Sequence, residues 1–153
     1  MMTLSWSDSL TLGVPVLDRM HREFVQRLAR VQDADNEHLE PAWRALVEHA
    51  AEVFGAEDEW MQATGHAGAA SHRSKHHVVL EVMREGLLQA GEGRLLQVRE
   101  MARQLGSWFV HHVQTLDAAL ALHLRNTGVD QADSARQVTS SHGPPERILQ
   151  PVP

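Results

Sequence analysis

Cysteine and tyrosine are both missing from this chain of 153 residues. Without cysteine there can be no disulfide and no thiolate metal site. A reducing, cytoplasmic setting is the simplest expectation. Aromatic side chains are scarce, with four Trp and three Phe. No apolar run approaches the roughly 18 residues that a membrane-spanning helix needs, so no membrane contact is expected. The opening MMTLSWSDSL has neither a basic region nor an apolar block, and a secretory leader is therefore not expected. Positive charge is in deficit: 14 Lys and Arg stand against 20 Asp and Glu, a net charge of −6 with histidine neutral. With no basic patch standing out, a nucleic-acid partner is not expected. Strand signals are nearly absent as well. What is left is a chain of ordinary apolar content, 42%, and of a size that forms one folded domain.

Four segments carry apolar residues at helical spacing, over about residues 15–32, 40–64, 70–90 and 94–126. Pro15 and Pro41 suit helix entry. Gly65, the pair Gly91 and Gly93, and Gly128 mark the stops. The connections are short, which favours antiparallel neighbours. The expected fold is all-α: an up-down-up-down four-helix bundle over residues 1–126, opened by an irregular N-terminal arm of about 14 residues. Residues 127–153 are polar and rich in Pro and Ser, without a stripe, and are expected to form a disordered, flexible tail.

Eleven residues are histidine, and their placement on the helices is informative. A helix turns about 100° per residue, so each face can be computed. His21 falls in the middle of the stripe of Leu17, Phe24, Val25 and Leu28. Glu57 falls on that of Trp43, Leu46, Val47, Ala50, Val53, Phe54 and Met61, whereas Asp58 and Glu59 point away. His72 and His76 share a face with Val79, Leu80, Met83 and Leu87. His112 is central to the stripe of Val98, Met101, Leu105, Phe109 and Leu116. His38, His77 and His111 look solvated, and His123 lies on the last stripe but three turns beyond His112. These five positions, on four helices, lie where an antiparallel bundle brings them to the same end. Four imidazoles and a carboxylate would then meet at one buried level. Burying them without partners is expensive, and a metal is the natural way to satisfy them.

These residues form a pattern that resembles the hemerythrin family, specifically bacterial hemerythrin. The resemblance spans roughly residues 6–124 and rests on four pieces in order. They are Trp6, Gly13, Val14, Asp18 and His21; then Phe54, Glu57, Asp58 and Met61; then His72 and His76; then Trp108, Phe109, His112 and Asp117. It implies a four-helix bundle around two non-haem iron ions joined by an oxo or hydroxo bridge, with dioxygen as ligand. It further implies that His72, His76 and His112 bind one iron, that His21 binds the other, and that Glu57 and Asp117 bridge the pair. Asp117 comes from the resemblance alone. Its five-residue offset from His112 puts it about 140° around a regular helix, where periodicity reads a surface or interhelical residue.

One position departs from the family pattern. The residue directly before Phe54 is usually histidine, and here it is Val53, which cannot coordinate. Three outcomes stand open. Water completes the second iron, which is the preferred reading; another histidine, His49 or His66, moves in; or the second site binds weakly. A wetter, more open iron implies faster autoxidation. The leading expectation is a protein that binds dioxygen for carriage, storage or sensing. The alternatives are a redox or oxygen sensor, a di-iron enzyme handling peroxide or nitric oxide, and a metal-free signalling bundle acting through an exposed histidine such as His77.

Overall fold

Residues 4–127 are described by the computed structural model. The order of elements is a short 3-10 turn at Asp8–Leu10, then α1 (Pro15–Asp33), α2 (Leu39–Thr64), α3 (Ala69–Gly91), α4 (Leu95–His112), a single π turn at Val113–Asp117, and α5 (Ala118–Asn126). No strand occurs among the described residues. The four predicted segments agree with these bounds to within one residue at each end. The one difference is that the fourth rod is not a regular helix throughout: the π turn divides it into α4 and α5. Gly128 and the predicted tail lie outside the described residues.

Residue chemistry accounts for the helix ends. Pro15 opens α1 at a position whose N–H would have no intrahelical partner. Gly65 closes α2 with φ of 67°, the left-handed conformation that glycine adopts without Cβ strain. His66 N then bonds Met61 O at 3.0 Å and Gly65 N bonds Gln62 O at 3.4 Å, which is the Schellman pattern. Gly93, at φ of 80°, repeats the arrangement after α3, with Arg94 N on Gln89 O at 2.9 Å.

Around the bundle, α1 packs on α2 and α4, and α3 packs on α2 and α4. This is the up-down-up-down arrangement. Phe24 and Phe109 stack at its centre, 4.2 Å apart and nearly parallel. Trp43 is fully buried and anchors α2 to α3 by donating Nε1–H to Met83 O at 2.8 Å. Gly86, on α3, leaves room for the Trp43 ring. The arm is irregular, as expected, and is tied down at three places. Asp18 accepts from Leu12 N (2.8 Å) and Gly13 N (3.2 Å), Arg125 donates to Leu12 O, and Arg22 lies over the Trp6 ring. Arg99 of α4 donates to Ala34 O and Asn36 Oδ1, which holds the α1–α2 connection at the opposite end. No helix among the described residues is long and apolar enough to cross a membrane.

Candidate metal centre

All five residues that periodicity turned inward converge at one level, and Asp117 joins them. His21, Glu57, His72, His76, His112 and Asp117 are each no more than 3% exposed. Glu57, His72, His76, His112 and Asp117 each offer one donor atom, and these atoms all lie within 4.8 Å of one another. The imidazoles face each other through Nε2: His72 to His112 at 3.1 Å and His112 to His76 at 3.3 Å.

The two carboxylates divide their oxygens between opposite sides. Glu57 Oε1 lies 3.1 Å from His76 Nε2 and 3.6 Å from His72 Nε2. Asp117 Oδ1 lies 3.0 Å from His72 Nε2 and 3.4 Å from His112 Nε2. Their other oxygens, Glu57 Oε2 and Asp117 Oδ2, turn to His21 Nε2 at 3.1 and 3.2 Å. Three imidazoles thus stand on one side of the carboxylate pair and one on the other.

Asp117 reaches this place because of the π turn. A regular helix would put it about 140° from His112. The wider turn over Val113–Asp117 takes one more residue per hydrogen-bonded ring. Five positions therefore do the work of four, and Asp117 returns to the face of His112. The surface or interhelical placement that periodicity gave is corrected, because that calculation assumed an unbroken α-helix.

Charge in the cluster is strongly coupled. Burial works against a charged His21, yet the hydrogen bonds it donates to the neighbouring Asp117 and Glu57 carboxylates carry its pKa up to about 10. Burial opposes charge on His72 too, and the same two carboxylates raise it to about 9. Burial and the nearby Asp117 push Glu57 up, but the surrounding histidines overcome both and hold it at about 2. Asp117 is held well below the usual carboxylate range against the same burial, by His112, His21 and His72. The protein environment thus favours ionised carboxylates and positive charge held against them, which protons supply in the metal-free protein.

The donor set fits a metal. Glu57 Oε1 and Asp117 Oδ1 are buried without a hydrogen-bond partner, although each faces two imidazole nitrogens. Several nitrogen lone pairs and carboxylate oxygens converging in a water-poor core are what a cation between them would satisfy. Aromatic rings wall the site. Phe54 stacks on His76 at 4.3 Å, Trp108 stacks on His112 at 4.5 Å, and Phe109 meets His21 edge-on at 5.7 Å.

Asp58 was missed by periodicity, which pointed it away. His76 Nδ1–H donates to Asp58 Oδ1 at 2.9 Å. That bond selects the tautomer whose Nε2 lone pair faces the cluster. The available signal was an acid adjacent to Glu57, but one residue's offset gives only an azimuth, and a half-exposed carboxylate can still swing to a neighbouring helix.

Neither histidine considered for the position beside Val53 points to the cluster. His49 is buried, donates Nε2–H to Met20 O at 3.1 Å, and has Nδ1 3.7 Å from Glu23 Oε2. His66 packs against His123, ring centroids 4.7 Å apart. His123 is a satisfied histidine, donating to Thr64 O at 3.1 Å. His77 and His111 are exposed, and exposed His38 bonds Asp35 within a surface turn.

Comparison with known proteins agrees with this geometry. Residues 12–121 match the family model described as the hemerythrin HHE cation binding domain. The chain is 30% identical over 135 residues to a bacteriohemerythrin of Ralstonia nicotianae, covering 88% of this chain and 98% of that one. It is 28% identical over 127 residues to a bacteriohemerythrin of Stenotrophomonas maltophilia, covering 79% and 81%. A crystal structure of a single-site hemerythrin mutant superposes with a TM-score of 0.73 at 19% identity, over 81% of this chain and 98% of that one.

Proposed function

The chain belongs to the hemerythrin family, and on that premise we propose that its buried cluster holds a pair of non-haem iron ions that bind dioxygen. The metal-binding unit is residues 1–126. The supporting observation is the division of the Glu57 and Asp117 oxygens, each carboxylate presenting one oxygen to the three-histidine side and the other to His21. That is how two carboxylates bridge two cations. His72, His76 and His112 would hold one ion, and His21 the other.

Bound iron supplies the redox change and the open coordination position that dioxygen requires. The chain's own residues do the rest. Phe54, Trp108 and Phe109 brace the imidazole rings and keep water away from them. Asp58 orients His76. The carboxylates balance the charge of the ions in a region where water cannot.

Val53 is buried at 2% and sits one turn before Glu57 on the same face of α2. The family resemblance implies an imidazole ligand at this position, and Val53 brings an apolar side chain instead. The His21 side therefore relies on water to complete its coordination, which favours fast autoxidation and a redox or oxygen-sensing role beside storage. Metal analysis of freshly purified protein, with iron and zinc counted separately, tests the reading. Two irons per chain support the reading with water at the His21 side, one iron points to a depleted His21 side, and a chain that takes up none refutes it. The reduced protein, followed by visible spectroscopy on exposure to oxygen, is expected to pass quickly to its ferric form. An oxygenated spectrum stable for hours would refute the open second site.

A further inference from the structure

We propose that the two sides of the cluster are unequal metal sites: the side of His72, His76 and His112 retains its ion, whereas the His21 side exchanges its ion readily and admits manganese beside iron. The inference rests on the metal pair proposed above and concerns how this chain's donors divide between its members.

On one side, His72, His76 and His112 converge with Glu57 Oε1 and Asp117 Oδ1, three nitrogens and two oxygens. On the other, His21 Nε2 stands with Glu57 Oε2 and Asp117 Oδ2, one nitrogen and two oxygens. Among the described residues, the candidate donors on the elements around His21 are committed elsewhere or cannot coordinate. Val53 of α2 is apolar and buried. His49, one turn before it, is committed to Met20 O. From α1, Phe24 turns its ring to Phe109, and from α4 Phe109 presents its edge to His21. Asp18 is engaged with the backbone of the arm.

Two consequences follow from coordination chemistry. An ion held by fewer protein donors leaves faster. Loss of even an outer-sphere partner typically costs about 10–100-fold in metal affinity, so two fewer imidazoles justify a difference of at least about tenfold in release. Imidazole donors favour iron over manganese, whereas carboxylate and water suit manganese. The three-histidine side therefore discriminates for iron, and the His21 side discriminates far less.

The experiment uses the full chain loaded anaerobically with ferrous iron. Iron release to bipyridine is followed by absorbance, and the partly stripped protein is then given manganous ion and measured by elemental analysis and electron paramagnetic resonance. Release in two equal phases, the fast one at least about tenfold quicker, is expected, followed by refilling to one iron and one manganese. His21→Ala is expected to abolish the fast phase and keep one iron. Val53→His, which adds an imidazole one turn ahead of Glu57, is expected to slow the fast phase. If that variant does not fold, the release kinetics of the unaltered chain and of His21→Ala still decide the matter. Single-phase release from a protein holding two irons overturns this inference alone. A chain that binds no iron overturns the proposed function as well.

Discussion

Alanine introduced at two glycines of the bundle is expected to change stability in opposite directions. Gly86 of α3 and Gly55 of α2 both lie in helix interiors, where glycine costs about 1 kcal/mol relative to alanine. At Gly55 an added Cβ meets nothing within 4 Å. Gly55→Ala should therefore gain most of that figure, about 1 kcal/mol. At Gly86 the Cβ would lie 2.8 Å from Met101 Sδ and 3.0 Å from two carbons of the Trp43 ring. Methionine can move aside. Trp43 cannot, because its ring is buried and its Nε1–H is bound to Met83 O. Overpacking of this kind costs about 1–3 kcal/mol, so after the propensity gain Gly86→Ala should lose about 1 kcal/mol net. The two variants should then differ by about 2 kcal/mol, or about 4–8 °C in Tm for a chain of this size. Chemical denaturation at matched metal content measures the gap. The contact matters to the site, because Trp43 ties α2 to α3, the two helices that carry Glu57 and His72 with His76. Gly86→Ala should thus also weaken metal retention, while Gly55→Ala should leave it unchanged. A Gly86→Ala protein as stable as Gly55→Ala would show that the Trp43 ring yields to the added methyl group.

Asp58→Ala should lower metal affinity about 10–100-fold by freeing the His76 ring, with circular dichroism unchanged; equal affinity in a competition titration would remove Asp58 from the account. Burial lowers the pKa of His49, with the Met20 carbonyl bond opposing that shift. Its unfolded form therefore takes up a proton first as pH falls, and stability drops below about pH 6.5 with a slope of up to about 1.4 kcal/mol per pH unit. Urea titrations should show that slope and show it reduced in His49→Gln. In the metal-free protein the raised His21 and His72 act with the opposite sign. Their stabilisation is complete below about pH 6.5 and is lost as pH rises through about 9 and 10. That of Glu57 is present above about 4.5 and is lost as pH falls toward about 2. Thermal melts from acid to alkaline pH should therefore fall at both ends, and a flat alkaline limb would contradict the histidine–carboxylate pairing.

Much of this protein is legible in the order of its residues. Apolar spacing near 3.6, with Pro15, Gly65 and Gly93 at the ends, determines four helices and their bounds, because each end depends on a few neighbouring residues. The same spacing turns His21, Glu57, His72, His76 and His112 inward, and short connections bring them to one end. Three features needed the folded chain. Asp117 enters the cluster only because the π turn at Val113–Asp117 shifts the phase of the helix, a change that an assumed 100° step cannot represent. Asp58 bonds His76, and His49 bonds Met20 O, because side chains choose partners on other helices, at distances that no spacing along one helix encodes. The split of the Glu57 and Asp117 oxygens, three imidazoles against one, likewise exists only where all four rods meet. Periodicity determines the direction of a residue from its own axis; which atoms come within bonding distance is decided by how the axes pack.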